Sequence, residues 1–208
     1  MPLMLATLCA TGPLGIDIYL PSIPDMAMSL STSEGAIQLS LMTFFIGLML
    51  GQLAYGPLSD KLGRKPLIAV GMLVFVLGSI GCALAQTVEQ LHALRLLQGL
   101  GGSIGMVIAF AIVKDAFSGA AFGKMIAIVL AVLGISPVAA PMIGSALQAM
   151  DSWRTIFWAL AIYGMVVLAV LMAFLPETRK IEDRAQVQLG RTLHNYVHIL
   201  QDKRFLRS

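Results

Sequence analysis

Residues 56 to 67 read Gly-Pro-Leu-Ser-Asp-Lys-Leu-Gly-Arg-Lys-Pro-Leu and lie between two long apolar runs. Asp60, Lys61, Arg64 and Lys65 crowd into six positions of this stretch. Charges so dense cannot lie in hydrocarbon, where unsatisfied polar groups are expensive, so the stretch reads as a short loop between two spanning helices. Gly63 permits a tight turn and Pro66 is suited to open the next helix. The three cations place this loop on the cytoplasmic side.

Composition extends that reading to the whole chain. Hydrophobic residues make up 58% and charged residues 12%, against about 25% charged in soluble domains. At about 20 residues per span, 208 residues hold six or so helices and a tail. The expected fold is therefore an all-α integral membrane protein. The net charge of +3 reflects topology and does not argue for nucleic acid. Cys9 and Cys82 both fall inside apolar runs, which suits buried free thiols. His92, His194 and His198 are read as loop or tail positions, His92 at the very start of a span, and neither a metal motif nor a hydrolytic or redox constellation is visible, so no enzyme, metal or organic cofactor is expected. Met1 to Leu5 lacks the basic segment of a cleavable signal.

Spans are predicted at about 3–23, broken by Pro13, and at about 35–58, 66–85, 91–113, 125–147 and 155–175. Together they form a bundle over 1–176, followed by a cytoplasmic linker or tail over 177–208. Leu189, Leu193, Tyr196, Val197 and Leu200 recur in the tail at helical spacing, as in an amphipathic surface helix. A solvated linker helix is the alternative. With this topology, 12 of the 14 Lys and Arg fall on the inner side, Arg154 lies outside and Arg95 within span 4. Both termini are then cytoplasmic. Asp60-x-x-x-Arg64 and Asp151-x-x-Arg154 close turns on opposite sides, which suggests an inverted three-helix repeat with units at about 1–86 and 87–176.

Four stretches could carry chemistry. Asp17 lies within span 1, where a carboxylate must face protein or water, or take up a proton. Asp17 and Arg95 sit about 10 Å and about 8 Å from the outer boundary at the helical rise, so they could meet and offset each other's burial. The alternative keeps Asp17 at the outer interface, with Arg95 snorkelling to the headgroups. Arg95, Gln98, Gly102 and Gly105 share one helix face, with Gly101 and Gly105 read as packing glycines. In span 5, Gly134, Pro137, Pro141 and Gly144 predict a bend or hinge. Met42, Met49, Met106, Met125 and Met142 could line an adaptable cavity or simply fill space. Finally, Arg64 is placed to pair with Asp115 at the inner end of span 4, while Asp60 is expected to seek a helix amino terminus.

The pattern around Gly56, Asp60, Gly63, Arg64 and Lys65 resembles the loop between helices 2 and 3 of the major facilitator superfamily. Arg95-Leu96-Leu97-Gln98-Gly99-Leu100-Gly101 resembles the helix 4 motif of its drug–proton antiporter branch, and Gly134 to Gly144 the antiporter motif of helix 5. Asp17-Ile18-Tyr19-Leu20-Pro21-Ser22-Ile23-Pro24 closely resembles a segment of the Bcr/CflA bacterial multidrug efflux subfamily. Pro176-Glu177-Thr178 matches the usual end of helix 6. The resemblance implies proton-coupled export of small organic, drug-like compounds across the bacterial inner membrane, with protons as coupling ion. By that analogy Asp17 is the protonatable group, Arg95 tunes it, and Tyr19 and Gln98 belong to the same cavity. Asp60, Arg64 and Asp115 would latch the inner gate. Family members have twelve helices in two halves, so transport is expected to need a second six-helix half or a homodimer. The alternative is a transport-incompetent fragment, or a partner subunit with an assembly or regulatory role.

Overall fold

The computed structural model describes residues 2–175, and every secondary-structure element in that range is helical. They are α1 (Pro2–Asp17), a 3-10 turn (Leu20–Ser22), α2 (Ile23–Ser29), α3 (Glu34–Leu62), α4 (Arg64–Leu84), α5 (Val88–Ala116), α6 (Gly119–Met150) and α7 (Trp153–Phe174). Six segments are long and apolar enough to cross a membrane, the first being Pro2–Ser29 taken as one unit. The shortest, α4 with 21 residues, is about 32 Å long at the helical rise, enough for a hydrocarbon layer of about 30 Å. The expected tail helix, Pro176-Glu177-Thr178 and the His194/His198 pair lie outside the described residues.

The predicted spans are all present, but the loops are shorter than expected. Between α3 and α4 the connection is the single residue Gly63, with φ 97° and ψ 163°. Only glycine visits that region without strain. Asp60 and Lys61 therefore belong to the last turn of α3, and Arg64 and Lys65 to the first turn of α4. The predicted inner loop over 114–124 likewise contracts to Phe117 and Ser118, which leaves Lys114 and Asp115 on α5. The cause is local: helix caps and continued apolar periodicity carry each helix past the first charged residue, because charged side chains at a helix end can reach water while the backbone stays bonded.

Caps set the other ends. The Ser33 hydroxyl accepts from the Ala36 amide at 3.2 Å and starts α3. Thr87 accepts from the Gln90 amide at 3.3 Å, while Gln90 Oε1 accepts from the Gln86 amide at 2.9 Å. This reciprocal pair starts α5 much as a capping box does. Span 1 breaks instead, not at Pro13, which lies inside a continuous α1, but after Asp17. Pro21 and Pro24 have no N–H to give the carbonyls of Asp17 and Leu20, so α1 cannot run on. The chain makes a 3-10 turn and restarts as α2. Pro137 and Pro141, in contrast, lie inside a continuous α6. Span 5 is one helix from Gly119 to Met150.

Helix packing centres on α5, which contacts α1, α3 and α4 along extended seams. Glycines let the backbones meet. A Cβ on Gly47 would strike the Leu96 carbonyl, and one on Gly99 the Phe44 carbonyl, so α3 and α5 cross through reciprocal notches. Gly101 lies against the Phe75 backbone and Gly105 against the Leu8 carbonyl, as their reading as packing glycines anticipated. The contact pattern agrees in part with an inverted repeat. Exchanging the first three spans with the last three turns the α1–α6 seam into α5–α3 and leaves α1–α5 and α4–α7 in place, and all four are present. The α4–α5 seam is far more extensive than its counterpart α1–α7.

Exposed apolar side chains lie round the outside, as a lipid solvent requires. On α3 they include Met42, Phe45, Ile46 and Met49, and on α6 Leu130, Ile135, Val138 and Met142. Among the five Met positions marked in the sequence, Met125 is core, Met49 and Met106 border one groove, and Met42 and Met142 point outward.

Candidate functional site

Arg95 is wholly buried, at 0% exposure, in the middle of the bundle. Its Nη1 donates to the Gly15 carbonyl at 2.8 Å and to Gln98 Oε1 at 2.7 Å. Gln98 Nε2 donates to the Ser79 hydroxyl at 2.8 Å, which in turn donates to the Phe75 carbonyl at 2.8 Å. A polar chain thus runs from span 1 through α5 into α4. The guanidinium carbon sits 4.3 Å from the ring centres of both Tyr19 and Phe44, and 5.9 Å from that of Phe157. Nε and Nη2 have no hydrogen-bond partner among the described residues, and these rings lie over the guanidinium. A buried cation in a membrane costs several kcal/mol. Two charge-assisted hydrogen bonds at about 1.5–3 kcal/mol each, with cation–π contacts of up to about 2 kcal/mol, are of the size needed to offset it.

Asp17 is not the partner of Arg95. Asp17 is half-buried and makes no hydrogen bond or ion pair with another described residue. Similar depth in the membrane does not fix the rotation of a helix about its axis, and the break after Asp17 redirects the backbone so that the Gly15 carbonyl meets Arg95 instead. That carbonyl belongs to the last turn of α1, where a cation also suits the helix dipole. Arg95 thus caps the interrupted helix on which Asp17 is the final residue. Arg95 does not snorkel to the headgroups either: both it and Gln98 are at 0% exposure inside the six-helix bundle. Tyr19 is buried beside them, its hydroxyl 3.1 Å from that of Ser40.

A groove of about 290 Å³ opens between α1, α3 and α5. Gly12, Pro13, Ile16, Phe45, Leu48, Met49, Gln52, Gly102 and Met106 line it, with Gln52 the one polar side chain. Pro13 has no N–H for the Cys9 carbonyl, which leaves that carbonyl without its helical donor. The surface suits apolar, neutral molecules of adaptable shape, given its methionines.

At the Gly63 end, the expected Arg64–Asp115 pair is formed. Arg64 is 5% exposed, and its Nε and Nη2 both reach Asp115 Oδ2 at 3.1 Å. Nη2 also lies 3.2 Å from Asp60 Oδ1, and Nη1 donates to the Ser59 hydroxyl. Asp60 therefore engages Arg64 one turn away within this chain. One guanidinium ties the corner between α3 and α4 to the end of α5, beside a polar cleft of about 330 Å³. Gly56, in contrast, has open space around its α-carbon.

The antiporter-type motif of span 5 divides between two faces. Gly144 is buried against the Ile18 carbonyl, while Gly134 and Pro137 are exposed and nothing lies near Gly134. Pro141 is half-buried, and its carbonyl accepts from Ser145 at 3.0 Å.

Several linking residues escaped the sequence reading. Arg154 does not pair with Asp151. Its Nη1 donates to the Ala83 and Ala85 carbonyls at 2.8 and 2.7 Å, capping α4, and its guanidinium stacks 4.2 Å from the Trp153 ring. The two Asp/Arg motifs therefore differ in their contacts. His92, expected in a loop, lies on α5, and its Nε2 is 2.8 Å from the Ala36 carbonyl. Only the alternation of polar residues with glycines on α5 hinted at such cross-links. Cys9 and Cys82 are buried free thiols, as expected.

The family model of the Major Facilitator Superfamily matches residues 3–206. An uncharacterized MFS-type transporter, YdgK of Bacillus subtilis, is 37% identical over 205 residues, covering 98% of this chain and 51% of its own length. A bicyclomycin resistance protein homolog of Haemophilus influenzae is 32% identical over 204 residues, with 98% and 51% coverage. A chloramphenicol resistance protein of Pseudomonas aeruginosa is 37% identical over 178 residues, with 85% and 42% coverage. The chain thus spans about half the length of these relatives. Among solved structures, the human organic anion transporter MFSD10 (TETRAN) is similar with a TM-score of 0.61 over 88% of this chain and 47% of that one, at 21% identity, a likeness of fold alone.

Proposed function

Because this chain belongs to the Major Facilitator Superfamily, we propose that it forms one six-helix half of a proton-coupled exporter of small organic, drug-like compounds. As a multi-pass membrane protein it would sit in a bacterial inner membrane with both termini cytoplasmic, the Gly63 corner facing inward by its cations. The observation that carries this reading is near-complete coverage of the chain by resistance-type relatives. The polar chain from Gly15 through Arg95 and Gln98 to Ser79 supports it.

In this scheme the apolar groove between α1, α3 and α5 forms one wall of the substrate path. Asp17, free of an ion-pair partner, carries the exchanged proton. Arg95 acts on Asp17 from a distance through charge and through its hold on the end of α1, and Tyr19 shields it. The pairing of Arg64 with Asp60 and Asp115 holds the inner end shut, helped by the neighbouring cation of Lys65. The exposed faces of α3 and of α6 around Gly134, Pro137 and Val138 would meet a second six-helix half, or a second copy of this chain. A second reading rests on the half-length match: alone, the chain is a transport-incompetent partner with an assembly or regulatory role.

The test is drug-dependent proton flux into vesicles that hold the chain alone, or the chain co-expressed with the complementary half of a relative such as YdgK. Flux is expected only from the pair, and Asp17→Asn should abolish it while membrane insertion persists. An undiminished rate from the pair carrying Asp17→Asn would show that the coupling acid lies elsewhere. Absence of flux from any pairing would favour the second reading.

A further inference from the structure

At the end of the bundle opposite Gly63, one side chain joins the last turn of α6 to the restart of span 1. Gln148 Oε1 accepts from the Ser22 hydroxyl at 2.6 Å, and Gln148 Nε2 donates to Asp25 Oδ2. Ser22 is buried, while Asp25 and Gln148 are half-buried. One turn earlier, Gly144 lies against the Ile18 carbonyl with no room for a Cβ. Ile18 directly follows Asp17, so α6 covers the backbone of the broken segment.

The rest of α6 is weakly held. Of its 32 residues only Met125, Val129, Ser136, Ala140 and Gly144 are buried. Pro137 and Pro141 deprive the Leu133 and Pro137 carbonyls of their helical donors, which makes the middle of the helix its softest part. The segment beyond Pro141 is therefore a short lever. It bears on Ile18 through Gly144 and is held at its far end by Gln148.

We propose that Gln148 is a reversible clip: made, it closes α6 over the Asp17–Tyr19 break, and released, it lets the lever lift and opens that break to water from this end of the bundle. The amide suits the task because it offers one acceptor to Ser22 and one donor to the carboxylate of Asp25, and neither bond needs a proton to move. The inference concerns the opening of this chain itself and stands whether or not the chain transports.

Hydrogen exchange of the full chain in lipid nanodiscs tests it, followed by mass spectrometry of peptides over residues 14–23 and 142–151. Gln148→Ala, which loses both bonds, should speed exchange about tenfold in both peptides. Gln148→Glu places two carboxylates together and should do at least as much. Adding Asp25→Asn to Gln148→Glu restores an amide facing a carboxylate and should return exchange toward wild type. Ser145→Ala, whose hydroxyl bonds its own helix, should change neither peptide. Faster exchange confined to 142–151, or no rescue by the double variant, would overturn the clip.

Discussion

At the scale of single residues, Arg95 is the side chain on which most depends. Its removal takes the guanidinium donor from the Gly15 carbonyl and from Gln98 Oε1, which keeps only the weak Cys82 thiol at 4.0 Å, at about 1–3 kcal/mol for each lost bond, and leaves a cavity between Tyr19 and Phe44. Arg95→Leu should therefore lower the thermal unfolding midpoint in detergent by more than Arg95→Lys, which keeps the charge and one donor but not the planar stack. Equal midpoints for the two variants would show that the guanidinium geometry is irrelevant. Glycines divide just as sharply. Gly105→Ala forces a Cβ into the Leu8 carbonyl, an overpacking that typically costs about 1–3 kcal/mol. Gly134→Ala meets open space and should be neutral or stabilising by about 0.5–1 kcal/mol. Parallel denaturation of the two variants checks both, and a fall for Gly134→Ala would reveal a constraint on that face.

At the scale of elements, the corner between α3 and α4 is a single glycine held by one arginine. The backbone at Gly63 is costly for any side chain, so Gly63→Ala should destabilise by about 1–3 kcal/mol. Arg64→Gln acts differently. It strips a buried cation from two carboxylates that are themselves 41% and 26% exposed, so the cost should fall between roughly 1 kcal/mol for a surface pair and about 3–5 kcal/mol for a fully buried one. Cysteine labelling at position 61 from the Gly63 side should rise in both variants as the ends of α3 and α4 separate. Unchanged labelling in the Arg64→Gln variant would mean that helix packing alone holds the corner. Span 1 shows the opposite logic. There Pro21 and Pro24 break the helix, and Arg95 and Gln148, from two other elements, hold the pieces.

At the scale of the whole molecule, the chain has a packed interior but exposed apolar faces on α3, α4, α6 and α7 that nothing among the described residues covers. Lipid can solvate such faces, so the bundle is not obliged to pair in order to remain in a membrane. Alternating access, however, needs two bundles to rock about a shared site. Cells expressing these 208 residues alone should therefore show no added resistance to chloramphenicol or bicyclomycin. A clear increase in the inhibitory concentration would make the chain a working transporter by itself, through self-pairing.

How much of this was legible beforehand follows from the range of the forces involved. Hydrophobicity, charge and backbone chemistry are local, so the amino-acid order alone determined six spans, the turn at Gly63 and the polar face of Arg95 and Gln98, whereas the break of span 1 falls after Asp17 and not at Pro13, which α1 runs through. The Arg64–Asp115 pair was also within reach, because both residues must lie at the same end of adjacent helices. Contacts across the bundle were not. Rotation of α5 about its axis sends Arg95 to the Gly15 carbonyl and two aromatic faces rather than to Asp17. The approach of α6 at Gly144 puts Gln148 beside Ser22 and Asp25, which lie 126 and 123 residues away in the chain. Those choices belong to the tertiary structure, because interhelical distances of a few ångströms are set by which glycines interlock, and that is a property of pairs of surfaces that neither sequence segment carries by itself.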